Sequence, residues 1–275
     1  MTLPTCMLGS TGVSVTRLGL GGEGVLRTFG YEAEAQAVIE AAFAGGIRYF
    51  ESARAYSGSE AYLGRGLKGR RREVFLTSKS HGRSRKEAEN HLAVTLRHLD
   101  TDYLDLWQVH DVRTAQDLAA LTAPGGALEA FRWAKERGYA RFLGVTGHHD
   151  PGILRRALDL FPFDTVLLPV NPAEPADRSF LPLAGEARAR GLGVIGMKVL
   201  ARGLVEQLGV APIRDFVRYA LSQPVDVVVI GADDISQVEE LLAAARNFTP
   251  MPPEEQRRLE EAVRSFARGL MYYKP

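Results

Sequence analysis

The chain has 275 residues and a formal net charge of +1, from 34 basic and 33 acidic side chains. Such a balance offers no basic field for nucleic acid and no acidic tail for a basic partner. The single Cys6 excludes an intrachain disulfide framework and any cysteine-ligated zinc or iron-sulfur centre.

The first residues, MTLPTCMLGSTG, lack a basic region followed by an apolar core, and no apolar run approaches the roughly 20 residues of a membrane span. A cytoplasmic protein with no membrane partner is the expectation. Met7-Leu8, the turn Gly9 to Gly12, and Val13 to Thr16 read as a β-hairpin. Eight strand candidates follow: Arg17 to Leu20, Ile47 to Glu51, Val74 to Ser78, Tyr103 to Val109, Arg141 to Thr146, Thr165 to Val170, Gly193 to Met197 and Val225 to Ile230. Between them, apolar residues at i, i+3 and i+4 mark helices around Ala33 to Ala44, Glu60 to Leu67, Arg85 to Leu99, Ala127 to Arg137, Gly152 to Leu160, Leu181 to Arg190 and Ile213 to Ser222. Ile235 to Arg246 and a segment opened by Pro252-Pro253 that runs to Leu270 close the pattern.

Nearly continuous apolar strands alternating with helices call for parallel βαβ units buried on both faces. Eight units predict an α/β fold of the closed (β/α)8 TIM barrel type, 1–275 as one domain, with the hairpin covering the barrel bottom. The competing fold is a doubly wound sheet, because Gly19-Leu20-Gly21-Gly22-Glu23-Gly24 satisfies G-x-G-x-x-G. That fingerprint must open a helix, and Arg27-Thr28-Phe29-Gly30 does not continue as one. The glycines are therefore expected to form a loop at the barrel mouth.

Candidate chemistry gathers at strand ends. Phe50-Glu51-Ser52-Ala53-Arg54-Ala55-Tyr56 sets an acid five residues before a tyrosine, and two further strands end at Lys79 and His110. A tyrosine, with a solution pKa near 10, donates a proton at neutral pH only if its phenolate is stabilised. Lysine can supply that charge, an acid can hold the lysine, and a histidine can orient or share the proton. Elsewhere, His148-His149-Asp150 invites a metal reading, which is set aside because adjacent loop residues need a third ligand and none stands nearby in the sequence. Asp150 is expected instead to cap a helix opened by Pro151, and Arg70-Arg71-Arg72 to be a solvated turn.

In order and spacing, Glu51, Tyr56, Lys79 and His110 resemble the catalytic tetrad of the aldo-keto reductases. The similarity continues through LGSTGVSVTRLGLGG, FESARAYSGSEAYLG, FLTSKS, TDYLDLWQVHD, FLGVTGH, GLGVIGMKVLARG and VVVIGADDISQVEELLAAAR, in family order across most of the chain. The resemblance implies an oxidoreductase that reduces a small-molecule aldehyde or ketone by direct hydride transfer from NADP(H) or NAD(H). It makes Tyr56 the proton donor, Lys79 the charge that lowers its pKa, Glu51 the partner of Lys79, and His110 the group that orients the carbonyl. Glu51 departs from the family aspartate, so a non-catalytic nicotinamide-nucleotide sensor or scaffold stays open as the alternative. By the same resemblance the cofactor contacts fall at Thr146, Gly147, Asn171, Met197, Lys198, Leu200, Gly203, Gly231, Asp233, Asp234, Gln237 and Glu240. Thr146-Gly147 stands where the family commonly has Ser-Asn, and Leu167 where it has Gln. Arg54, Trp107 and the segment after Asn171 are expected to shape the substrate pocket. Asp233 and Asp234 replace the basic grip on the 2′-phosphate of NADP(H), which argues for use of NADH; the competing reading is that they only cap the following helix. Substrate identity and oligomeric state lie outside the sequence.

Overall fold

The computed structural model describes residues 2–174 and 179–274. Strands β1 (Thr5–Met7) and β2 (Ser14–Thr16) pair antiparallel as the expected hairpin. A closed barrel follows, built in chain order from β3 (Leu18–Gly24), β4 (Tyr49–Glu51), β5 (Phe75–Ser80), β6 (Leu104–Val109), β7 (Ala140–Thr146), β8 (Thr165–Pro169), β9 (Gly193–Met197) and β10 (Val227–Ala232), with β10 returning to β3. Every barrel pairing is parallel. Around it lie α1 (Glu32–Ala44), α2 (Ser59–Gly66), α3 (Arg85–His98), α4 (Ala115–Thr122), α5 (Ala127–Glu136), α6 (Pro151–Leu160), α7 (Leu181–Ala189), α8 (Leu204–Leu208), α9 (Ile213–Leu221) and α10 (Ile235–Arg246). Helices α11 (Pro253–Val263) and α12 (Ala267–Leu270) close the chain. None of the described helices is long and apolar enough to cross a membrane.

Two separate apolar layers form because successive strand residues point to opposite faces. Leu18, Leu20, Phe50, Leu76, Trp107, Val109, Leu143, Val166, Val194 and Val228 pack outward against the helices. Tyr49, Phe75, Leu106, Leu167, Ile195, Val227 and Val229 fill the barrel interior, with Leu8 from the hairpin turn beneath them. The hairpin does cover the bottom: Gly9 donates to the Asp226 carboxylate at 3.2 Å and Ser10 to the Gly191 carbonyl at 2.8 Å. Glycine is required at position 9, where φ is +50° and a Cβ would stand 2.2 Å from the Gly193 nitrogen.

One sequence expectation is corrected. Gly21 to Gly24 are not a loop, because β3 runs through them to Gly24 and pairs with Ala232 across an irregularity in β10. A Cβ on Gly22 would come within 2.3 Å of Ser59 Oγ and 2.8 Å of the Glu51 carbonyl, so the close approach of β4 and α2 explains the glycine. Helix α4 was not foreseen. Its signature was readable, since Thr114 and Asp117 form a reciprocal capping box.

Candidate active site

Strand parity assembles the site. Tyr49 and Glu51 share the inner face of β4; Phe75, Thr77 and Lys79 share that of β5; and Leu106, Gln108 and His110 continue that of β6. The aromatic layer is tight: Tyr49 stacks on Phe75 at 5.3 Å, and Phe75 on Phe142 at 6.3 Å between ring centroids. One or two residues further along each strand, the inner face turns polar and reaches the C-terminal mouth, where barrel sites are assembled.

Lys79 is buried, and its ammonium donates to the Glu51 carboxylate and, at 2.9 Å, to the Ser52 carbonyl. The longer glutamate therefore still reaches its lysine. Backbone bonds from Ser52 N–H to the Thr77 carbonyl and from Arg54 N–H to the Lys79 carbonyl, both 2.9 Å, lock the loop that carries Tyr56 onto β5. Tyr56 lies with its ring centroid 5.0 Å from Lys79 Nζ and 6.0 Å from the His110 ring, which it meets at 90°.

Several neighbours set the electrostatics of the Tyr56 phenol. Burial pushes the phenol well above its usual range, and the Glu51 and Glu23 carboxylates push it further; Arg27, 4.9 Å over the ring, opposes them only in part. His110 is moved the other way, well below an ordinary imidazole, by burial and then by the neighbouring Lys79 and His148. At neutral pH both ring groups are uncharged, and each carries a proton that it can donate.

A cavity of about 360 Å³ opens from Glu51 and Tyr56 and runs between the loops after β9 and β10. Among the residues expected to hold a cofactor, Met197, Lys198, Leu200, Gly203, Gly231, Asp233 and Gln237 line it. The others are engaged elsewhere. Thr146 Oγ1 accepts the Asp111 N–H at 3.0 Å, and Gly147 packs against the Val112 carbonyl. Asn171 bridges loops, donating to the Lys198 carbonyl at 3.0 Å and accepting from Ala173 N–H at 2.8 Å. Asp234 caps α10, accepting from Gln237 N–H at 2.9 Å and the Ser236 hydroxyl at 2.7 Å, as the capping alternative had it. Glu240 is exposed on the same helix. Asp233 alone of the aspartate pair faces the cavity.

Neither named substrate-pocket residue has the expected place. Arg54 pairs with the fully buried Glu60, which also accepts from Ser78 Oγ at 2.8 Å and Thr95 Oγ1 at 2.6 Å. Trp107, on the outward face of β6, stacks on Phe131 of α5 at 3.8 Å with an interplanar angle of 7°. Part of the segment after Asn171, residues 175–178, lies outside the described residues.

Sequence reasoning missed the charge cluster at the centre of the cavity. Glu23, from the end of β3, meets Arg27 Nη1 at 2.9 Å, Arg202 Nε at 3.3 Å and Lys198 Nζ at 3.7 Å. Burial works against its charge, but the three cations outweigh it and hold the carboxyl below the usual range. Tyr272 closes over the same group, its hydroxyl 3.4 Å from Lys198 Nζ and its ring 4.9 Å from the Arg202 guanidinium. The contacts with Lys198 and Arg202 join the end of β3 to the loop after β9, which no local motif records.

A lysine-carboxylate pair, a tyrosine and a histidine thus meet at the C-terminal mouth of an eight-stranded parallel barrel, the end at which barrel active sites are built. The sequence pattern of the aldo/keto reductase family matches residues 17–214, and the chain belongs to that family. It is 28% identical over 281 residues to an L-galactose dehydrogenase of Arabidopsis thaliana, covering 86% of each chain, and 24% identical over 215 residues to an uncharacterised oxidoreductase of Bacillus subtilis, covering 73% of this chain and 66% of the relative. Its fold matches an aldo-keto reductase from Bacillus halodurans in the holo form (TM-score 0.80, 23% identity, covering 94% and 96% of the two chains). It also matches one from Klebsiella pneumoniae solved with NADPH (TM-score 0.77, 20% identity, covering 96% of each). The protein is thus an NAD(P)H-dependent oxidoreductase of the carbonyl-reducing kind.

Proposed function

We propose that this single barrel domain, 1–275, reduces an aldehyde or ketone to an alcohol with Tyr56 as the proton donor. When bound, the nicotinamide cofactor supplies the hydride. The carbonyl oxygen sits between the Tyr56 hydroxyl and the His110 ring, two uncharged donors that polarise it without a formal charge. As hydride reaches the carbon and the C=O π electrons move to oxygen, the developing alkoxide becomes basic enough to take the Tyr56 proton. A phenol held above its usual pKa keeps that proton until late in the step and recovers it readily from water afterwards. Lys79, held by Glu51, keeps a positive charge beside the resulting phenolate.

The cofactor phosphates fit the cluster of Arg27, Lys198 and Arg202, three cations converging on one carboxylate in a cavity that ends at Tyr56. Asp233 at the far end suits the ribose hydroxyls of NADH better than a 2′-phosphate, and the loop 231–237 carries no basic residue. NADH is therefore used at least as well as NADPH.

The observation that supports the reading is the Glu51–Lys79 pair beneath Tyr56, in which the longer glutamate keeps the contact with its lysine. Tyr56→Phe tests it. Reduction of a generic aldehyde should fall by at least about 10²-fold while nucleotide affinity stays within a few-fold. Retention of most of the activity would overturn the assignment.

A further inference from the structure

At the end of β6, beside His110 but outside the described cavity, the fold brings together three side chains that the reductase chemistry does not use. Asp111 Oδ1 stands 3.3 Å from His148 Nδ1 and 3.8 Å from His149 Nε2, and the three atoms lie within 4.8 Å of one another. The third ligand that His148 and His149 lack in the sequence is thus supplied from across the strand pair. Around a tetrahedral ion with bonds of about 2.0 to 2.1 Å, neighbouring donor atoms sit about 3.3 Å apart. The Asp111–His148 edge already has that length, and the other two lie within 4.8 Å.

Two further observations point to a ligand. Asp111 Oδ1 and His148 Nδ1 are both buried and both without a hydrogen-bond partner, although they face each other. Such a pair of orphaned polar atoms is costly unless something satisfies it. Asp111 is also held in place as few exposed-loop residues are. Its φ is +57°, its N–H donates to Thr146 Oγ1 at 3.0 Å, and its carbonyl accepts from Arg83 Nη2 at 2.8 Å. Its second oxygen, Oδ2, is taken by Arg113, which leaves Oδ1 for a ligand and orients it as outer-shell partners do. The left-handed backbone at a non-glycine residue is tolerated where a function fixes it.

We propose that Asp111, His148 and His149 bind one divalent transition-metal ion of the zinc class. Two imidazole nitrogens and one carboxylate oxygen suit zinc, cobalt, nickel or copper and do not suit magnesium or calcium, which take oxygen ligands. Three protein ligands leave the fourth position to water, and the partly exposed ring of His149 gives the ion a path from solvent. The ion ties the loop after β6 to the loop after β7 at the barrel mouth.

Metal binding itself, rather than turnover, reads the proposal, so its failure is separate from any failure of the reductase reading. Untagged protein stripped with chelator is titrated with Zn²⁺ and with Co²⁺, and the bound ion is counted after dialysis. One ion per chain, the visible bands of a low-coordinate Co²⁺ site, and a loss of about tenfold or more in affinity for both His149→Gln and Asp111→Asn are expected. If Asp111→Asn does not fold, as judged by circular dichroism, His149→Gln decides alone. No retained ion in the wild type, or binding that survives undiminished in the variants because it lies elsewhere, for example at the neighbouring His81 and His91 rings, overturns it.

Discussion

Glu51 and Lys79 face each other across the β4–β5 pair, and the ammonium is satisfied by the carboxylate and the Ser52 carbonyl with almost no exposure to solvent. Removing one charge from such a pair strands the other. Glu51→Gln should cost about 3 to 5 kcal/mol of stability, a fall of roughly 10 °C in the melting temperature, together with a marked loss of turnover. Glu51→Asp should keep the charge and most of the stability. Thermal unfolding and steady-state kinetics on the two variants check both; equal kinetics for Glu51→Gln and wild type would refute the ion-pair role.

In the proposed placement of the cofactor, the Glu23 carboxylate competes with the nucleotide phosphates for Arg27, Lys198 and Arg202. Glu23→Gln should tighten nucleotide binding by about tenfold, since a carboxylate at about 4 Å from a phosphate costs on the order of 1 to 4 kcal/mol between the dielectric limits of water and a protein surface. Fluorescence titration with NADH at two ionic strengths reads it, and weaker binding in the variant would contradict this account.

Asp233 and Asp234 should separate cleanly. Asp234→Ala removes the cap of α10 and should cost about 1 kcal/mol of stability with little change in nucleotide preference. Asp233→Ser should shift preference toward NADPH by about tenfold with little change in stability. Paired NADH and NADPH titrations decide between them. A wild-type dissociation constant ten times lower for NADPH would rule out the preference proposed here.

All six histidines are held below the ordinary imidazole range, burial being the largest cause at each. For His148 the value falls to about 4. A group depressed in the folded state contributes stability above its unfolded pKa of about 6.5 and loses it as pH falls toward the folded value. Metal-free protein should therefore lose stability steadily from pH 7 to pH 5. The slope reaches about 1.4 kcal/mol per pH unit for each fully buried neutral ring, and less for His81, His91, His98 and His149, which are more open to solvent. Denaturant unfolding across that range measures it; a flat profile would contradict the neutral His110 on which the mechanism relies.

The barrel and the meeting of the four residues proposed as catalytic were legible because both are written in short-range patterns. Strand parity alone puts Glu51, Lys79 and His110 on the face occupied by Tyr49, Phe75 and Leu106. The proposed nucleotide contacts were less legible, because a loop residue's partners depend on distant loops. Asn171 keeps its expected position yet spends its amide on the Lys198 carbonyl, and Thr146 spends its hydroxyl on Asp111. Glu23 stood inside a motif weighed for its glycines, so its charge passed unread. Asp111 could be joined to His148 only by knowing that β6 and β7 are neighbours.

In the loop that follows β9, Lys198, Ala201 and Arg202 all adopt positive φ, at 62°, 46° and 58°. Each such residue costs about 1 kcal/mol or more relative to glycine. The loop is therefore the part of the molecule where selection can most easily trade robustness for a new coenzyme. Changes at 201 and 202 can relieve or redirect it without touching the barrel strands or the loop that carries Tyr56.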